Sequence, residues 1–248
     1  MPQYDLSYLL NAPPIVEKSQ RLCWLFSIYN EEHNPYFWKN LELLQAQKQL
    51  FIVIDGGSSD ATQEWLKSSR VLFMELPQST RGSRFNEALK VSFTDIVAFV
   101  HPRSLLRQEH IQELRNFHGP QDWGAFTHRF DHDHPLLSFT SWWSNCVRGD
   151  IRGIFYLDHI LWAKRARVSS FPTSPIFEDT LFSLQMLKRS RPQRLRTPSV
   201  TSAQRFLKNG IWKQALLNQK MKIDFYRGQE LLRMDQEYEQ GLGLNRKL

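Results

Sequence analysis

The sequence predicts an α/β fold, a mostly parallel sheet flanked by helices, with further helices at the C-terminal end. Three observations predict it. Between residues 22 and 103, short apolar, β-branched runs alternate four times with helical stretches. One run, Phe51-Ile52-Val53-Ile54, ends in Asp55-Gly56-Gly57 and a polar helix start. That is the pattern of a parallel strand delivering a carboxylate to the crevice at the carboxyl edge of a sheet. The last forty residues carry a basic amphipathic pattern, with Phe206, Ile211, Ala215 and Leu216 set among Lys208, Lys213 and Lys220.

Residues 1–20, with Asn11-Ala12-Pro13-Pro14, read as an irregular lead-in. A strand at 22–28 stops at Tyr29-Asn30-Glu31-Glu32. Asn34-Pro35 reads as a cap with proline in the first turn, opening a helix to about residue 47. A second strand covers 50–54 and a second helix 60–69. The third strand is 71–76, followed by the turn Arg81-Gly82-Ser83-Arg84 and a short helix through Leu89. A fourth strand, 96–100, ends at His101-Pro102-Arg103. Beyond 104 the regularity fails. A helix is expected over 107–117, strands over 123–130 and 157–163, and a helix over 178–188. The aromatic, basic stretch 142–153 has no assignment. These elements divide the chain into a ligand-binding half (21–103), a second half (104–204) and C-terminal helices (205–248).

With 41% hydrophobic and 23% charged residues, the composition is that of a globular protein. No apolar run approaches the roughly 20 residues that span a bilayer, and no basic, then apolar leader opens the sequence. Two cysteines, Cys23 and Cys146, make no disulfide framework, and Cys23 falls in a buried strand, so the expected compartment is a reducing cytoplasm. The net charge of +7 calls for an anionic partner: nucleic acid, a phospholipid surface or a nucleotide-sugar diphosphate. No zinc-finger spacing, ribonucleoprotein motif or basic zipper is present, and no nucleic acid is expected.

The motifs come in a telling order: Asn30-Glu31-Glu32, Asp55 to Asp60, Arg81-Gly82-Ser83-Arg84-Phe85-Asn86, Leu157-Asp158-His159, Glu178-Asp179 after Pro175-Ile176-Phe177, and Thr201-Ser202-Ala203-Gln204-Arg205. From about residue 22 to 228 the chain resembles a GT-A-fold (Rossmann-like) glycosyltransferase of family 2, and within it the arsenosugar-biosynthesis-type subgroup. The resemblance implies an inverting enzyme that moves a sugar from a nucleoside-diphosphate donor to a hydroxyl acceptor. Asn30, Glu31, Asp55 and Gly56 would line the nucleoside pocket, and Arg81, Arg84 and Asn86 would approach the base or the phosphates. Guanidinium forks suit phosphate oxygens, although the arginines also read as a solvated basic turn. Asp179 would be the general base for the acceptor hydroxyl, beside Glu178. The pair also reads as favourable charge at a helix N-terminus. Asp158 and Trp143, the latter beside Arg148, are candidates for acceptor binding.

One departure stands out. Where the subgroup carries His-Ala-Asp, with the aspartate on a divalent cation, this sequence has His101-Pro102-Arg103. A guanidinium there repels Mg²⁺ or Mn²⁺ at contact distance, so a metal of the family's kind is weakened and no metal ligand is assigned. Arg103 is instead expected to neutralise the diphosphate, since leaving-group charge is stabilised by arginine as well as by metal. The alternatives are a catalytically inactive protein that keeps the fold for binding, or a basic binder of nucleic acid or a membrane surface.

Three further features have two readings each. His128, Asp131, His132, Asp133 and His134 form either a ligand cluster or a polar loop before Pro135. Trp142, Trp143, Trp162 and Trp212 either stack on sugars or fill the core. The helix over 206–226 packs its apolar stripe on the domain, or lies on an anionic membrane as a peripheral contact.

Overall fold

The computed structural model describes residues 21–239. The lead-in 1–20 and the last nine residues of the C-terminal segment lie outside them. Strands β1 (Leu22–Ile28), β2 (Leu50–Asp55), β3 (Phe73–Glu75) and β4 (Ile96–Val100) are parallel neighbours. β5 (Ser104–Leu105), β6 (Trp123–Phe130), β7 (Leu161–Lys164) and β8 (Gln193–Thr201) complete one eight-stranded sheet in the order β3-β2-β1-β4-β7-β6-β8-β5. β7 is antiparallel to both β4 and β6, β6 and β8 run parallel, and β5 closes the edge antiparallel to β8. The sheet is therefore parallel in its first half and mixed in its second, with helices on its faces as the sequence predicts.

The whole of β1 is buried, as a strand covered on both faces must be. Its alternation splits the core in two. Leu22, Trp24, Phe26 and Ile28 join Phe37, Leu41 and Leu44 of α1 (Pro35–Ala46) on one face. Cys23 and Leu25 join Phe85 and Phe182 on the other, under α3 (Arg81–Lys90) and α6 (Glu178–Leu187). Burial pushes the Cys23 thiol up to about 12, so it is inert packing.

Asn34 caps α1 as expected, its Oδ1 accepting from the Tyr36 N–H at 3.1 Å. The second helix, α2, is Thr62–Ser68. The arginine turn is itself helical: Arg81 opens α3, capped by Thr80, whose Oγ1 accepts from the Ser83 N–H. Gly82 lets α3 meet the chain at Pro172, where a Cβ would stand 1.8 Å from the carbonyl oxygen. α4 is Gln108–Arg115. The unassigned stretch is also helical, α5 (Pro135–Trp142) running into a π-helix at Trp143–Ile151. The strand expected over 157–163 is a 3₁₀ turn, Leu157–His159, then β7. Ile160 between them has φ 53°, a costly conformation for a β-branched residue, and it reverses the chain there. β8 was hidden from sequence reading by its charges and by Pro198, which sits where the β6–β8 register shifts.

The C-terminal helix is broken at Gly210 (φ 84°) into α7 (Gln204–Asn209) and α8 (Ile211–Tyr226), followed by α9 (Leu231–Glu239). Phe206 packs with Leu137 of α5 and Ala203, with Ile211 and Ala215 against them, so this part of the apolar pattern packs on the domain while Leu216 is exposed. Among the described residues no helix is long and apolar enough to cross a membrane.

Candidate active site

A cavity of about 280 Å³ opens where β4, β8, the N-terminus of α6 and the 3₁₀ turn converge, and α7 to α9 roof it. That volume is near the low end for small-molecule sites. His101 and Arg103 reach it from the loop after β4, Arg81 from the start of α3, and Arg205 from α7. Burial, and then the charges of Arg81, Arg103 and Arg205, hold His101 well below the usual imidazole range, so the ring is neutral. Its Nδ1 accepts from the Arg103 N–H at 3.1 Å, which leaves the ring proton on Nε2.

The acids enter from two strained segments. Phe177, the residue before α6, is left-handed (φ 58°) and turns the chain so that Glu178 and Asp179 open the helix inside the cavity. Glu178 is buried and pairs with Arg81 Nη1 at 2.9 Å. Burial raises its carboxyl to about 7, against the pull of Arg81. Burial also raises Asp179, opposed by the Leu157 N–H, which donates to Oδ2 at 3.0 Å, and by Arg81. Asp158 is raised by burial and then by the charge of Asp179. Its main-chain oxygen accepts from the hydroxyls of Ser104, Ser199 and Thr201, which fix the 3₁₀ turn to the sheet.

Of the residues singled out in the sequence, Arg81, Arg103, Asp158, Glu178 and Asp179 meet at this cavity. Glu31 lies just behind it: its carboxylate accepts from Asn34 Nδ2 at 2.7 Å, burial raises it to about 7, and Arg103 and Arg81 pull it down. His101, His128 and Arg148 also line the cavity, whereas Asn30, Asp55, Gly56, Arg84, Asn86 and Trp143 are set apart from its lining. Asp55 is fully buried and accepts from the Ser58 N–H (2.9 Å), the Ser58 hydroxyl and Gln63 Nε2 (2.7 Å). Asn30 binds the Ser59 N–H through Oδ1 at 2.8 Å, pinning the β1 end to the same loop. Gly56 makes room for Arg84, since a Cβ there would lie 2.3 Å from Arg84 Nη1. Arg84 donates to Ser27 Oγ and the Ser79 carbonyl. Asn86 clamps the Phe171 backbone with both ends of its amide, at 2.7 and 2.9 Å. Trp143 is half exposed and packs with Phe139 and Trp142 outside the lining.

Other candidates scatter. Trp162 is core, whereas Trp142 and Trp212 are exposed. His128 is buried against Ser141, His134 caps α5, and Asp131 binds Tyr36, so the histidine cluster does not assemble. Among the described residues no three His, Cys, Asp or Glu side chains converge as a metal site. Around His101-Pro102-Arg103 the groups present are guanidiniums and a neutral histidine, a donor set that does not fit Mg²⁺ or Mn²⁺. Sequence reasoning missed Tyr156, Ser144 and the cavity face of α8 (Asn218, Met221 and Lys222). Their only signal was the i, i+4 spacing of Asn218 and Lys222, opposite the exposed side of the helix.

No family model and no curated protein matches the sequence. Solved structures do. TarS 1-349 of S. aureus aligns with a TM-score of 0.58 at 17% identity, over 92% of this chain and 76% of that one. Its complex with UDP-GlcNAc aligns at 0.55 and 19% identity, over 72% and 58%. Glucosyl-3-phosphoglycerate synthase from Mycobacterium tuberculosis, with Mn²⁺, UDP and phosphoglyceric acid, aligns at 0.51 and 16%, over 74% and 70%. The chain spans 46% of a longer TarS structure. These are GT-A glycosyltransferase structures, and the likeness shows that this chain has the GT-A fold.

Proposed function

We propose that the protein is a nucleotide-sugar-dependent glycosyltransferase that inverts the anomeric centre and stabilises the leaving diphosphate without a metal. The observation that carries the reading is the placement of Asp179 in a cavity whose wall also presents Arg81, Arg103 and Arg205. The arginines would take the charge that develops on the diphosphate, fixed in place before the reaction. His101, with its proton on Nε2, adds a neutral donor to that wall. Asp179 would accept the acceptor hydroxyl's proton as its oxygen attacks the anomeric carbon from the face opposite the leaving group. Burial suits it to that task by raising its basicity. Glu178 orients Arg81 through their ion pair. Solved neighbours hold UDP or UDP-GlcNAc, which makes a uridine donor the first to try.

The test replaces Asp179 by Asn. Sugar transfer from a UDP-sugar panel should fall about 10²-fold or more while UDP affinity stays within a few-fold, as expected for loss of a general base. Full turnover in the variant would remove Asp179 as the base, and the arsenosugar-type subgroup with it.

The outward side of α8 supports one further proposal, peripheral contact with an anionic membrane. Trp212, Leu216, Ile223 and Tyr226 form an exposed stripe at helical spacing, with Lys213 and Lys220 on its flank. Co-sedimentation with phosphatidylglycerol vesicles should be lost on Trp212→Ser. Equal binding to neutral vesicles, or none to either, would sink it.

A further inference from the structure

The far end of the cavity carries two cations, Arg148 and Lys222, that make no ion pair among the described residues. Arg148, on the π-helix, lies over the Tyr156 ring, its guanidinium carbon 3.3 Å from the centroid. Nη2 donates to Ser144 Oγ and approaches His159 Nε2 at 3.4 Å. His159 Nδ1 lies 3.0 Å from the Phe126 carbonyl, which places its proton there and leaves Nε2 as the acceptor facing Arg148. The guanidinium is thus held rigidly by neutral groups. Its Nε is buried and has no hydrogen-bond partner. Lys222, across the cavity on α8, has no hydrogen-bond or ion-pair partner among the described residues. Burial and the charge of Arg148 hold its amine down to about 8.

Two like charges facing each other in a partly dry cavity, one with an orphaned N–H, are destabilising unless something completes them. A solvated lysine would turn outward, and α8 has a solvent side for it, occupied by Lys213 and Lys220. The position relative to the acids identifies what is missing. Arg148 stacks on Tyr156, and the next residue, Leu157, donates its N–H to Asp179. The cation pair therefore lies near Asp179, whose carboxyl, raised by burial, is pulled down by both Arg81 and Arg148.

We infer that Arg148 and Lys222 form a subsite for an anionic group, a phosphate ester or a carboxylate, carried by the acceptor whose hydroxyl meets Asp179. The inference rests on the glycosyltransferase reading for the word acceptor, though not for the anion site itself. Arg148 supplies the planar fork and Lys222 a point charge on the opposite side, the usual division of labour in phosphate recognition. Glu178 is paired with Arg81, so one of the cavity's carboxylates is already matched by a cation.

The test is a calorimetric series with glycerol 3-phosphate, glycerate and glycerol at constant ionic strength, with UDP titrated in parallel. Arg148 is bound into the fold, so the variant is Lys222→Gln, with Lys213→Gln on the solvent side of α8 as the charge-matched control. One or both anions should bind the wild type and uncharged glycerol should not. Binding by glycerol 3-phosphate alone identifies a phosphate, and by glycerate as well a carboxylate-tolerant site. Lys222→Gln should weaken the anion about ten- to hundredfold, the scale of one lost charge-assisted contact, and leave UDP affinity unchanged. Lys213→Gln should change neither. The unliganded Lys222→Gln protein should melt at a higher temperature than the wild type, which a purely structural lysine would not allow. Equal weakening by both variants, binding of glycerol as tight as of the anions, or no anion binding would overturn the subsite. Failure of UDP to bind, with the anion series intact, would count against the glycosyltransferase reading alone.

Discussion

Replacing Glu31 by Gln should stabilise the protein at neutral pH, and do so in a pH-dependent way that only a buried, ionisable glutamate produces. Glu31 is buried behind Arg103 and accepts from Asn34 Nδ2 at 2.7 Å, a bond that a glutamine amide oxygen can also accept. Its carboxyl moves from an ordinary 4.5 to about 7, with burial as the dominant cause. The folded state therefore binds this proton more tightly than the unfolded chain. The stability associated with it is fully present below pH 4.5 and is lost as pH rises through 7. At 1.36 kcal/mol per unit, ionisation of Glu31 costs the fold about 3 kcal/mol near pH 8, net of the attraction to Arg103. Glutamine removes that penalty. Urea unfolding of both proteins between about pH 4.5 and pH 8 should show the variant more stable by about 3 kcal/mol at the top and nearly equal at the bottom. The same variant should lose donor affinity, because Arg103 loses the carboxylate behind it, a stability–activity trade-off. A stability difference that is independent of pH, or a variant less stable near pH 8, would refute the reasoning.

Two other outcomes follow from the geometry. Gly82→Ala should destabilise by about 2 kcal/mol or more, since its Cβ would lie 1.8 Å from the Pro172 carbonyl and force α3, with Arg81, off the site; thermal unfolding measures it, and an unchanged melting temperature would show that the contact relaxes freely. Arg103→Ala should weaken UDP binding about tenfold or more in EDTA if the guanidinium neutralises the diphosphate, and unchanged affinity by calorimetry would remove that role.

Legibility in the sequence followed burial pattern. β1 and β4 were readable because each is a buried apolar run on a doubly covered sheet, β2 and the short edge strand β3 carry shorter apolar runs, and β6 was found at Trp123–Phe130 as expected. β8 was not, because a strand near the sheet's edge, with Arg194, Arg196 and Pro198 in it, has no apolar run to display. The strand and turn around Asp158 failed for a local reason: the left-handed Ile160 separates a 3₁₀ turn from β7 within a stretch, 157–163, that reads as one strand. In the candidate site, the short motifs brought Arg81, Arg103, Asp158, Glu178 and Asp179 together, since each sits at an element end. Gly56, Arg84 and Asn86 belong to the same motifs yet make contacts within the protein, a distinction that motif spacing does not carry. Lys222 was out of reach. Its partner Arg148 is far away in sequence, and only the packing of α8 over the cavity brings the two together.

The central claim is a diphosphate site completed by arginine rather than by metal. Calorimetric titration with UDP and a panel of UDP-sugars, first in EDTA and then with Mn²⁺, tests it most directly. The account predicts micromolar binding in EDTA that added Mn²⁺ does not improve. Binding that appears only with Mn²⁺ would contradict it.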